Sequence, residues 1–498
     1  MKLLERLHGS TGLKVIFGSA FFYAWLDALF MSAFFVRPEF NGFVAEVTVI
    51  SVFLVSLPGL ILAMTNRHAI KRVLSSKKIL LIFAVLGSLG SLLVMFSGIH
   101  FSWALLMLGA LGGGVFFSVY QMGWGAAFCF EGKRTATPYV AGSFAGAVII
   151  DLPLLFMIPE ASAVFFALFP LASGLFFISI DPQQRTYRKV QTPTTRSIGL
   201  RARLRSYLGI SPMLLGAVVF VMLSFGYMQH IVSFSTYTTG STEGGILIQV
   251  ARGITAILMF VIIVIFSKRA SIVYRIGLLA MIAGFMLMSF LFETDFFWLA
   301  GAILIGGYTA FDLLIWVVFS QIAYTQSHNP LNTIAVVRLI AVFCCAMGGI
   351  IGIVFVGSGD QIREFVSTGT TVVGYLVVIA TVLVLSSEDI WAFFGRAQAL
   401  SGTPSVDERA KLDEQLGLIF KEQGLTERQQ EIAILLASGR TQPWIAGKLM
   451  ISENTVGTHI RHIYQKLNVH TRQEFIDLVF SSPSPKSRDE TNVVTEDA

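Results

Sequence analysis

Twelve apolar stretches of about 20 residues each recur along the chain, at roughly 13–36, 43–64, 79–97, 102–126, 138–157, 162–180, 212–236, 245–266, 272–292, 297–322, 332–356 and 368–386. A helix of that length spans the hydrocarbon core of a bilayer. In lipid only helices or closed barrels satisfy their own backbone groups, so these runs predict an all-α polytopic body. The first run is too long, and too continuous with the segment after it, for a cleaved leader and reads as a true span. Composition agrees: 54% of the 498 residues are hydrophobic and 13% charged, against about a quarter charged in soluble domains. A soluble enzyme is disfavoured.

Charge divides the chain. From Arg396 onward there are 12 Lys/Arg and 14 Asp/Glu, a soluble composition attached to an oily body. The expected organisation is therefore a membrane domain at 1–390, a linker at 391–423, a small soluble domain at 424–480 and a disordered tail at 481–498. Within the body, Lys and Arg collect in alternate loops: 20 of 24 fall on one side if the N-terminus is inside, with only Arg37 and Arg363 in outside loops. The positive-inside rule then places both ends of the body, and the soluble domain, on the cytoplasmic face of a bacterial inner membrane.

The longest break, about Asp181 to Ser211, splits the body into six plus six spans, and a basic loop follows the second span of each half. This pattern resembles the major facilitator superfamily of transporters, two six-helix bundles around a central cavity. The resemblance covers 1–386 and rests on topology, with "TNRHAIKRV" standing where the family carries an acidic-glycine-arginine signature between spans two and three.

Ionisable side chains within spans are costly and are functional candidates by default. Six stand out: Asp27, Asp151, His230, Arg252, Asp312 and Arg338. If spans one, four, seven and ten line the cavity, as the resemblance implies, Asp27, Tyr120, Gln121, Trp124, Tyr227, His230 and Asp312 gather there. Asp27, His230, Arg252, Asp312 and Arg338 are then candidates for binding a small-molecule inducer. The competing reading is structural, with Asp27 and Asp312 neutralising Arg252 and Arg338. Asp151, two residues before Pro153, is expected to satisfy backbone groups freed by a kink. The glycine-rich "GALGGGVFFS" at 109–118 lacks a phosphate loop's Lys-Ser/Thr and lies in a span, where small residues allow close helix packing. No catalytic triad order, dinucleotide fingerprint or metal-ligand spacing stands out, and Cys129, Cys344 and Cys345 lie in or beside apolar runs. Neither an enzyme, a cofactor, a metal nor a disulfide framework is expected.

In the linker, Leu412, Leu416 and Ile419/Phe420 recur at helical spacing, predicting an amphipathic helix over 406–422. From Leu425 four short helices are expected. Thr426 and Gln429 form a capping box, with Gly439 ending the first helix. Thr441 caps the second, and Ser452 caps the third, whose Val456, Ile460, Ile463 and Leu467 must face a core. The fourth is "RQEFIDLVF". The stretch "LTERQQEIAILLASGRTQPWIAGKLMISENTVGTHIRHIYQKLNVHTRQEFIDLV" resembles the LuxR-type helix-turn-helix. Its landmarks include Leu425-Thr426, Glu431, Gly439, Ile445-Ala446, Leu449, Ser452, Thr455-Val456, His459, Lys466-Leu467 and Val469. The resemblance implies that the third helix enters the major groove of promoter DNA. Thr458 and Arg461 would read base edges, and Thr455, His459 and Lys466 would lie nearer the phosphates. Gly457 departs from the family's usual Lys. The family's dimerisation through its fourth helix implies a homodimer on DNA, with RNA polymerase as a further partner. The combined expectation is a membrane-bound one-component transcriptional regulator sensing a small molecule; the alternative is a secondary transporter with a fused regulatory DNA-binding domain.

Overall fold

The computed structural model describes residues 10–30, 43–100, 102–130, 136–182, 185, 212–239, 242–265, 270–292, 294–325, 330–356, 362–385, 423–437, 442–449, 451–471 and 474–475. These fall into two compact units, Met1–Gln398 and Ala399–Ala498. The linker helix expected over 406–422, most of the fourth soluble helix, the Gly439 and Thr441 caps and the 481–498 tail lie outside the described residues.

Among the described residues, each apolar run of the sequence is largely helical. In chain order the first half contains α1 (Ser10–Phe30), α2 (Phe43–Thr65), a short α3 (Arg67–Ser75), α4 (Lys77–His100), α5 (Trp103–Phe130), α6 (Ala136–Asp151) and α7 (Pro159–Ile178). The second half contains α8 (Pro212–Thr239), α9 (Thr242–Ile265), α10 (Ala270–Leu291), α11 (Phe297–Thr325), α12 (Pro330–Val356) and α13 (Ile362–Leu385). Among the described residues nine helices are long and apolar enough to cross a membrane, and α6, α9 and α10 carry shorter apolar stretches at Pro138–Leu154, Ile246–Ile262 and Arg275–Leu291. Many outward residues are large and apolar, such as Leu89, Leu168, Leu279 and Phe290. In water such a surface would drive aggregation; in acyl chains it costs nothing.

The basic segment after α2, read from sequence as a loop, is the helix α3. Asn66 caps it, its side chain accepting from the Ala69 amide at 3.0 Å. Ile70 and Leu74 are buried while Lys71 and Arg72 face outward.

The internal repeat is visible in the packing. Setting α1, α2, α4, α5, α6 and α7 against α8 to α13 in order, the principal packed pairs of one half have counterparts in the other. α4 packs on α5 as α10 packs on α11; α1 on α6 as α8 on α12; α2 on α5 as α9 on α11; α4 on α7 as α10 on α13. Between halves, α2 meets α12 and α6 meets α9, which are the same contact seen from each half. This is the two-bundle, internally repeated architecture expected from the topology.

Glycine allows the tightest of these pairings. A Cβ at Gly90 of α4 would lie 2.6 Å from the Gly109 carbonyl and 2.8 Å from the Gly113 amide of α5, and one at Gly307 of α11 would lie 2.6 Å from the Gly277 carbonyl of α10. The "GALGGGVFFS" segment is therefore a helix-crossing surface, as its place in a span implied.

The second unit has its own core of Leu425, Ile432, Ala433, Leu436, Ile445, Val456, Ile463, Leu467 and Phe475. Three helices surround it: α14 (Glu427–Ala437), α15 (Gln442–Leu449) and α16 (Glu453–Lys466). The capping box before α14 forms, the Thr426 amide donating to Gln429 Oε1 at 3.1 Å. Ser452 caps α16, accepting from the Thr455 amide at 3.1 Å. Thr471 and Glu474 bond reciprocally at the next helix start.

Candidate ligand cavity and DNA-binding surface

Residues one helical turn apart share a face, and α11 carries Tyr308, Asp312 and Trp316 at that spacing. That face meets α1, α2, α5, α8 and α12 around a cavity, so the cavity lies between the two halves. Its charged wall is Asp312 and Arg338. Arg338 Nη1 donates to Asp312 Oδ1 at 3.4 Å, and its guanidinium carbon lies 3.6 Å from the Trp316 ring centroid. A planar cation stacked on an aromatic face is attracted by the ring quadrupole, which fixes the plane of the fork. One turn from Asp312, Tyr308 stacks on Phe225 with centroids 3.5 Å apart.

A second, smaller cavity shares Phe30, Phe53 and Cys345 with the first and includes His230. Of the residues expected at a ligand, the structure therefore puts Asp312 and Arg338 on one wall and His230 in an adjoining space. Asp27 and Arg252 line neither cavity. They form an ion pair across the halves, Arg252 Nη2 donating to Asp27 Oδ1 between α9 and α1. The structural reading of these four charges is thus realised as two separate pairs, of which the Asp312–Arg338 pair alone borders a cavity.

The structure corrects several expectations from sequence. Tyr120 and Trp124 do not line the cavity. Tyr120 donates to the Leu80 carbonyl at 3.0 Å and Trp124 to Ser173 Oγ at 3.0 Å, both inside the first half. Tyr227 packs its hydroxyl against Gly369 of α13, away from the cavity wall. Gln121, one residue beyond Tyr120, does face the cavity. Asp151 ends α6 before a 3-10 turn at Leu152–Phe156 and makes no side-chain cap. Its carboxyl does meet backbone amides, those of Asp151 and Leu152, as expected of it, and it also shares the field of Asp27 and Arg252. Tyr23 and Trp316 line the cavity without having stood out in the sequence. Each lies four residues from a singled-out aspartate, Asp27 and Asp312, which is the signal that places them on the same helix face.

In the second unit, α16 buries Val456 and Ile463 and turns Thr455, Thr458, Arg461, His462 and Lys466 outward, with His459 half-buried. Thr458 donates to the Asn454 carbonyl at 3.0 Å, which leaves its oxygen free to accept. Lys466, expected near phosphate, also makes bonds within the unit. Its ammonium donates to the Gly424 carbonyl at 2.6 Å and to Gln429 Oε1 at 3.0 Å, tying the end of α16 to the start of α14. Gly457 has a structural reason as well. A Cβ there would come within 2.8 Å of Gln442 Nε2, the atom that donates to the Glu453 carbonyl at 2.7 Å and joins α15 to α16.

Residues 423–479 match the family described as bacterial regulatory proteins of the luxR type. This segment is a LuxR-type helix-turn-helix. A stretch of 52 residues is 44% identical to the HTH-type transcriptional regulator MalT of Serratia proteamaculans (strain 568), covering 10% of this chain and 6% of that protein. The chain thus spans a small fraction of that relative's length. The membrane unit is similar in fold to a bacterial homologue of the iron transporter ferroportin in an outward-facing state. The two share 15% identity at a TM-score of 0.51, covering 75% of this chain and 97% of the other. A structure of such a homologue soaked with iron gives 14% identity and a TM-score of 0.50 over the same coverage. The likeness is one of fold. The chain therefore joins a LuxR-type helix-turn-helix segment to a body of apolar helices whose fold is like that of solved transporters; the module implies DNA as a partner, and the body implies lipid.

Proposed function

We propose that the protein is a membrane-bound one-component transcriptional regulator. In this reading its twelve-span body lies in the inner membrane of a bacterium with both ends cytoplasmic, binds a small molecule without catalysing a reaction, and controls promoter binding by the helix-turn-helix, as a homodimer that engages RNA polymerase. The observation that carries it is the coexistence in one chain of a DNA-binding module with a cavity placed between two helical halves. A ligand seated there favours one arrangement of the halves over another by its differential affinity, and that difference is the only free energy available for moving the promoter-binding equilibrium. Arg461 reads guanine, with Thr458 beside it and Thr455 and His459 nearer the phosphates; Arg to guanine is the commonest specific contact in the major groove.

Chromatin immunoprecipitation of the intact protein tests this. The wild type is expected at discrete promoters, and Arg461→Ala is expected to insert normally while losing about 1–3 kcal/mol of operator affinity, enough to clear those peaks. Unchanged occupancy removes Arg461 from the interface. An active periplasmic reporter fused after Ala498 would sink the whole reading.

The fold likeness to solved transporters favours a second reading, a secondary transporter whose tail regulates expression or gating. Uptake by membrane vesicles, measured beside promoter output for Asp312→Asn and Arg338→Gln, separates the two. Gradient-driven accumulation of the inducer supports the transporter, whereas a promoter response without accumulation supports the sensor.

A further inference from the structure

Four buried polar atoms on the larger cavity's wall have no hydrogen-bond partner: Tyr23 Oη, Gln121 Oε1, Trp316 Nε1 and Arg338 Nη2. All four side chains are more than nine-tenths buried, Arg338 being the most exposed at 7%. Native proteins satisfy nearly all such groups, so a cluster of them on one cavity wall marks a place where a partner binds. The cluster has a bias. Trp316 and Arg338 can only donate, and Tyr23 can donate, while Gln121 Oε1 alone is restricted to accepting. The three donor side chains also pack against one another. The Tyr23 ring meets Trp316 edge-on at 6.0 Å, and the Arg338 guanidinium lies on the Trp316 face. Asp312 occupies one arm of the Arg338 fork through Nη1 and leaves the Nη2 arm available.

We propose that this cavity binds a monoanionic organic carboxylate with an apolar or aromatic body, an inference that rests on reading the membrane body as a ligand sensor. The carboxylate accepts from Arg338 Nη2, Trp316 Nε1 and Tyr23 Oη, and charge-assisted bonds of this kind are the strong ones. Asp312 makes a second negative charge on the ligand unfavourable. The apolar body lies against the Phe225–Tyr308 stack and Phe117, and Gln121 accepts from a hydroxyl or amide on the ligand.

The test uses the full-length protein in lipid nanodiscs, with benzoate, phenylacetate and hexanoate as probes, and benzylamine and benzyl alcohol as charge-reversed and neutral counterparts. Titration calorimetry and thermal shift are the readouts. At least one carboxylate is expected to bind saturably, with the amine and alcohol at least about tenfold weaker. Trp316→Phe and Tyr23→Phe keep an aromatic ring while removing a donor, and each is expected to weaken carboxylate binding about tenfold. The proposal is overturned if no carboxylate binds at millimolar concentration, if the amine binds as tightly, or if both Phe variants retain wild-type affinity. A promoter reporter run in parallel separates this from the sensor reading. Carboxylate binding with unmoved transcription upholds the anion site and removes the sensor. Transcription that answers to the amine alone keeps the sensor and removes the anion site.

Discussion

Lys466 occupies the last turn of α16, where a cation also favours the helix dipole. Its two intramolecular bonds make it a strut between helices. Lys466→Met is expected to lower the thermal midpoint of the soluble unit by a few degrees, about 1 kcal/mol, without changing the salt dependence of DNA affinity. A drop of about one in the slope of log affinity against log salt would show instead that it meets a phosphate. Glu474 acts through protonation. Its exposed carboxylate accepts from the His470 amide at 2.8 Å and from Thr471, and these bonds hold its pKa below the usual glutamate value. A carboxyl whose pKa is depressed by folding stabilises the fold above its unfolded pKa and ceases to do so as pH falls through the lower, folded value. Glu474→Gln is therefore expected to flatten the loss of stability of the soluble unit below about pH 4.3, the ordinary pKa of an unfolded glutamate, in acid titrations followed by circular dichroism. An unchanged acid limb would exclude the contribution.

Among elements, the helix crossings through glycine are the most exacting feature. At Gly90 and Gly307 the nearest atom facing an added Cβ belongs to backbone, which cannot swing aside. Gly90→Leu and Gly307→Leu are each expected to cost several kcal/mol, at or above the roughly 1–3 typical of overpacking, read as a lowered melting temperature in detergent. Gly374→Ala, whose Cβ would have its nearest neighbour at 3.6 Å, is the control and should melt like the wild type. Elements are also the most legible level in the sequence. Length and apolarity alone locate the nine helices that are long and apolar enough to cross a membrane among the described residues, because a bilayer imposes both. The caps at Thr426 and Ser452 are legible because they are local. The helical state of Arg67–Ser75 is not, since its amphipathic turns are too short to stand out from a basic loop.

Across the whole membrane unit, the Asp27–Arg252 pair links α1 of one half to α9 of the other, both side chains largely buried. Removing one partner leaves a buried charge uncompensated, at about 3–5 kcal/mol. Asp27→Asn is therefore expected to destabilise the body sharply, while Asp27→Asn with Arg252→Gln recovers much of the loss. Equal melting temperatures for single and double variants would show that the pair is uncoupled. The sequence supplies the four charges and the idea that they neutralise one another, but not who meets whom. Pairing depends on how each helix is rotated about its axis, and in a span that is apolar on nearly every side no hydrophobic stripe reports the rotation. For the same reason Tyr120 and Trp124 look equivalent to Gln121 in the sequence, although only Gln121 faces the cavity.

The glycine crossings carry one more implication. Where two backbones touch there is no slack to absorb a push, so each bundle of six moves as a stiff block. If the body is the proposed sensor, a guest wedged at the seam has the tilt of one block against the other to act upon, and the message it sends is written in that angle.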